Sequence, residues 1–71
     1  MHRYLIIIEP TATGYSAYSP DLPGCAATGA SKSAVEQEMQ DAVALHLDGL
    51  REAGLPIPVS ATSAAYVEVA A

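Results

Sequence analysis

One cysteine, two histidines and eight carboxylates are the groups in this chain best equipped for chemistry, and their spacing decides whether they act together. A metal site needs His, Cys or carboxylate ligands clustered at short, regular intervals. Here His2 stands at the start, Cys25 follows a Pro-Gly turn and His46 falls in a predicted helix, so no metal and no cofactor is expected. Nucleophilic catalysis needs a Ser or Cys beside an oriented base. Cys25 and His46 are the available pair. Free cysteine is among the residues most often buried, so a packed thiol and a helix-face histidine are the simpler reading. Two-metal nuclease chemistry calls for several acids converging on one pocket. Glu36 and Asp41 instead lie on different flanks of the predicted helix, and Asp21 lies in a turn. The chain therefore reads as non-enzymatic. Tyr4, Tyr15, Tyr18 and Tyr66 all fall on predicted strands. They serve either as ordinary strand residues or as anchors of a protein interface, where Tyr is enriched.

The elements that must position these groups follow from pattern and punctuation. Arg3 to Ile8 is a nearly unbroken apolar run that predicts a first strand, with Tyr4, Ile6 and Ile8 on one face and Leu5 and Ile7 on the other. Tyr15 to Tyr18 predicts a second, antiparallel strand. Pro20-Asp21-Leu22-Pro23-Gly24 then reads as a rigid turn, with each proline presetting its own φ and Asp21 bonding the turn backbone. Cys25 to Thr28 is a third strand, placed mainly by the turns around it. Ser31 or Ser33 opens a helix, and Ser33-Ala34-Val35-Glu36 fits a capping box. Gly54, Pro56 and Pro58 end it. At helical spacing Val35, Met39, Ala42, Val43, His46, Leu47 and Leu50 share one face, which should pack on a sheet. His46, in the middle of that stripe, needs a partner for its nitrogens. Ala65 to Val69 alternates again and predicts a fourth strand. The expected fold is α+β, β-β-β-α-β, an antiparallel-rich sheet with one helix on one face and a single domain over residues 1–71.

Bulk composition narrows the partners. The net charge is −5 and the three cations, Arg3, Lys32 and Arg51, are scattered. Nucleic-acid affinity rests on many Lys and Arg contacts to phosphates, so no direct nucleic-acid binding is expected and a basic protein partner suits the chain better. No apolar run reaches the roughly 18 residues of a membrane span, and a single cysteine fits a reducing cytoplasm. With 51% hydrophobic residues on a chain of 71, more apolar surface exists than one small core hides. A homo-oligomer, dimer or tetramer, is expected.

The order and spacing of the motifs resemble the HicB family of antitoxins. The resemblance runs through Tyr4-Leu5-Ile6-Ile7-Ile8-Glu9, Gly14-Tyr15-Ser16-Ala17-Tyr18 and Ser19-Pro20-Asp21-Leu22-Pro23-Gly24-Cys25. It continues in Thr28-Gly29-Ala30-Ser31, in Asp41 to Leu47 and in Gly54-Leu55-Pro56-Ile57-Pro58. It implies a partial RNase H-like domain that oligomerises and covers the active surface of a HicA-like basic toxin, an mRNA-cleaving RNase. Many relatives add a C-terminal helix-turn-helix or ribbon-helix-helix segment. This sequence ends at Ala71, and operator binding is not expected of it. The helix start also departs from the family, with Ala30, Lys32, Ser33 and Ala34 where relatives often carry acidic and apolar residues. Exposure and charge, not a family motif, nominate the partner surface: the hairpin residues Tyr15, Tyr18, Asp21 and Leu22 with the helix flank Asp41, Asp48 and Glu52. The alternative is an orphan oligomeric domain acting as a structural or small-ligand module without a toxin.

Overall fold

A computed structural model of the chain describes residues 2–70. Three antiparallel strands, β1 (Ile7–Pro10), β2 (Tyr15–Tyr18) and β3 (Ala26–Gly29), form one sheet in the order β1-β2-β3. They are followed by one helix, α1 (Lys32–Glu52). Ile8 stands opposite Ala17, and Ala17 opposite Ala27. Because side chains alternate along a strand, this register puts all three on the helix-facing side with Tyr4, Ile6 and Tyr15, as the alternation in Arg3 to Ile8 predicted. Ile7, Tyr18 and Ala26 share the opposite side.

Local chemistry sets each boundary. Ser31 is the helix cap: its extended backbone lets Oγ accept from the Ala34 N–H at 3.1 Å. Ser33 therefore lies inside the helix. At the other end Leu55 N–H donates to Leu50 O at 2.9 Å, Gly54 N–H donates to Arg51 O, and Gly54 takes a φ of 69°. That paired closure is a Schellman stop, which needs a left-handed residue after the cap. The Pro20–Gly24 turn closes through Leu22 N–H to Ser19 O, Cys25 N–H to Leu22 O and Ser19 N–H to Cys25 O. These bonds use Cys25 within the turn, so β3 begins one residue later than the sequence reading placed it.

Val35, Met39 and Leu47 of α1 bury against Ala17, Leu22 and Cys25, and Ala42, Val43 and Leu50 pack around them. Ser19 is buried among these residues, and its hydroxyl donates to Leu5 O at 3.0 Å, so its burial leaves no polar atom unpaired. His46 is only half-buried. Among the described residues no buried side-chain nitrogen or oxygen lacks a hydrogen-bond partner, so the partner demanded by a core position is not required.

Two strand expectations change. Arg3–Ile6 belongs to no ladder, because β2 ends at Tyr18 just before Pro20 and offers these residues no strand to pair with. The predicted strand Ala65–Val69 has no regular structure, and residues 55–70 as a whole form no helix or strand. A strand holds its shape through hydrogen bonds to a neighbour, and within this single chain residues 65–69 find none. The described order is therefore β-β-β-α, followed by an irregular segment.

Candidate partner-binding surface

The residues nominated from sequence fall into three environments. Leu22 is wholly buried, at 0% exposure, and fills the core beneath Met39 and Val35. Its nomination as a partner contact is therefore corrected. The turn between two prolines folds back on itself and points Leu22 inward. Tyr15 also turns towards the core and is half-buried, whereas Tyr18 lies on the open side of the sheet and is exposed.

Asp21 has a different role from the one expected. Its carboxylate does not bond its own turn. It accepts from the Ala61 and Thr62 backbone N–H groups at 3.2 and 3.1 Å and from the Thr62 hydroxyl at 2.8 Å. These bonds hold the carboxyl below the usual Asp range, the Thr62 hydroxyl contributing most. Asp21 thus tethers the segment after the helix to the turn before β3. Tyr4 makes a second tether, its hydroxyl donating to Pro58 O at 2.6 Å.

The helix acids are exposed but not equivalent. Asp48 pairs with Arg51 at 3.1 Å, an exposed contact one turn along the helix that contributes little to stability. It leaves Asp48 partly neutralised as a partner contact. Glu52 sits at the helix end. Asp41 accepts from Gln37 Nε2 at 3.3 Å and borders a shallow groove with Glu38, Ala42, Leu45 and the β3 residues Ala26, Ala27 and Thr28. Leu45 protrudes there at 74% exposure.

This groove joins three features useful to a binding protein. Two carboxylates draw a basic partner, an apolar knob can be buried, and β3 is an edge strand with free backbone groups. Glu38, Asp41, Ala42 and Leu45 were within reach of sequence reasoning, since they recur at helical spacing. Their position beside β3 was not, because it depends on how the helix crosses the sheet.

Cys25 is buried, and desolvation pushes its thiol above the usual value, which disfavours the thiolate. Among the described residues no group of three or more His, Cys, Asp or Glu is placed to hold a metal ion, and no helix is long and apolar enough to cross a membrane.

Comparison with known proteins adds two findings. The family described as the HicB_like antitoxin of bacterial toxin-antitoxin system matches residues 4–70. Among solved structures, a chain of the "HicA3 and HicB3 toxin-antitoxin complex" superposes with a TM-score of 0.73 at 30% identity, covering 84% of this chain and 70% of that one. No curated protein matches.

Proposed function

This chain belongs to the HicB-like antitoxin family, and from that premise we propose that it binds and occludes a HicA-type mRNA-cleaving toxin. The observation that carries the reading is the groove between α1 and β3. There Glu38 and Asp41 flank an exposed Leu45 and a free strand edge on a chain of net charge −5. The likeness to a chain from a HicA3 and HicB3 complex supports the same partner class. The protein itself performs no chemistry. Its carboxylates speed encounter with a basic toxin, and burial of Leu45 with pairing along β3 slows release. RNA is excluded because the antitoxin occupies the surface the toxin needs for it. Tyr18 and Glu52 lie outside the groove and serve as flanking contacts. The pair acts in the cytoplasm, where mRNA is translated.

The test is stopped-flow measurement of the association rate of a purified HicA-type toxin with the chain and with its Glu38→Lys, Asp41→Lys double variant. Both sites are exposed helix positions, so the fold tolerates the change. Charge reversal should slow association on the order of tenfold at low salt, with the difference shrinking as salt rises. Equal association by the two proteins would remove the groove from the account.

A further inference from the structure

Resting on the toxin reading above, we propose that the β3 edge takes an extended segment of the partner as an added strand. From that segment the groove beside β3 reads a Lys or Arg placed two residues from an apolar side chain. The phase of the ladder decides which backbone groups are on offer. Ser19 N–H donates to Cys25 O at 3.2 Å, and next along the ladder Tyr18 stands opposite Ala26 and Ala17 opposite Ala27. Hydrogen-bonded and non-bonded pairs alternate in an antiparallel ladder. The bond from Ser19 therefore makes Tyr18–Ala26 and Ser16–Thr28 the non-bonded pairs, and Ala17–Ala27 and Tyr15–Gly29 the bonded ones. The N–H and C=O groups of Ala26 and Thr28 point away from β2, out of the edge of the sheet, and no turn or loop backbone bond uses them.

This edge is open where the other is guarded. β1 carries Pro10, which has no N–H to offer, and Ala64, Ala65 and Tyr66 border the groove beside it. β3 is Ala-Ala-Thr-Gly, with no proline and no charge, and both Ala26 and Thr28 are exposed. A strand edge without those devices is a template for pairing.

The helix beside the edge sets the chemistry of the occupant. Gly29 lies against Val35 at the start of α1, so the helix runs back along β3 with Glu38 towards the Gly29 end and Leu45 towards the Ala26 end. Asp41 and Leu45, four residues apart, are separated by about 6 Å along the helix axis. A strand advances about 6.6 Å over two residues, and those two side chains share one face. On an added strand one such side chain reaches Asp41, with Glu38 a turn away, while the next meets the exposed Leu45. A cation suits the first position and an apolar group the second. A second copy of this chain fits poorly. Pairing β3 with β3 would bring another Glu38 and Asp41 to the same seam, and residues 26–29 carry no cation to meet them.

The experiment is amide hydrogen exchange on the full chain, free and with a purified HicA-type toxin, beside the toxin affinities of Thr28→Pro and Thr28→Val. In the free chain the Ala27 and Gly29 amides should exchange slowly and those of Ala26 and Thr28 fast. Toxin should slow Ala26 and Thr28 by about tenfold or more. Proline at 28 removes an outward N–H and spares the β2 ladder. Thr28→Pro should therefore bind about tenfold more weakly than Thr28→Val, which keeps that N–H, with the helical circular dichroism signal unchanged. The toxin segment protected in the same complex should hold a Lys or Arg two residues from an apolar residue. Toxin that binds without slowing Ala26 and Thr28, or through a segment lacking that pair, overturns the proposal and leaves occlusion by other contacts standing. Slow exchange at Ala26 and Thr28 in the free chain overturns it as well, since a second copy would then hold the edge. A toxin that fails to bind at all overturns both readings. The wild-type exchange pattern decides the matter even where the proline variant does not fold.

Discussion

Replacing Gly29 by alanine should destabilise the fold, while the same change at Gly49 should stabilise it. Gly29 ends β3 just before the helix cap. A Cβ built there would lie 2.6 Å from Val35 N, 2.9 Å from Val35 Cα and 3.1 Å from Ala34 C. All three are backbone atoms of the first helical turn, so no side-chain rotation relieves the overlap. The helix start must move off the sheet, which loosens Val35, one of the fully buried side chains. Overpacking of this kind costs about 1–3 kcal/mol, and the backbone obstacle puts Gly29→Ala at the upper end. A chain of this length has roughly 4–11 kcal/mol in total, so a loss near 3 kcal/mol lowers Tm by about 12–24 °C. Gly49 lies within α1 with nothing within 4 Å of its would-be Cβ. Alanine there gains about 0.5–1 kcal/mol of helix propensity. Thermal melts followed by circular dichroism at one fixed protein concentration read both changes. If the two variants melt within a few degrees of each other (a few degrees being roughly 0.5 kcal/mol), close approach of helix to strand does not govern this fold.

Three further outcomes follow from the same geometry. Leu22→Ala empties a site with no exposed surface and should cost about 2–5 kcal/mol in urea unfolding; a loss below about 1 kcal/mol would place Leu22 nearer the surface. Asp21→Asn should speed amide exchange at Ala61 and Thr62 while leaving α1 protection unchanged. Because the folded Asp21 carboxyl titrates below its ordinary value of 3.8, its tether is complete above that value and is lost as pH falls through the lower folded one. Amide shifts of Thr62 that ignore acidification would contradict this. Cys25, buried with a raised thiol pKa, should react with a thiol reagent only as fast as the chain opens, and rapid labelling of the native protein would count against its packing.

Much of the frame was legible because local signals agreed with one another. Alternation in Arg3 to Ile8 sorted Ile6 and Ile8 from Ile7, and helical spacing picked out Val35, Met39 and Leu47, which are the buried helix residues. Gly54 marked the helix stop because the left-handed closure requires it. What escaped was long-range. Asp21 looked like a self-bonded turn residue, yet its partners lie 40 and 41 residues later. Leu22 looked exposed because turns usually are, and only the folded turn shows it inside. Residues 65–69 have strand chemistry, but a strand exists only with a neighbour, and the sequence of one chain does not say whose edge that is.

The central claim is that this chain silences a toxin by sitting on it. The direct measurement is RNA cleavage by a purified HicA-type toxin as the chain is added in rising amounts. Cleavage should fall linearly and vanish at a fixed stoichiometric ratio, with the RNA left intact by the chain alone. Undiminished cleavage at a large excess of this protein, with the two proteins shown to be folded, would contradict it.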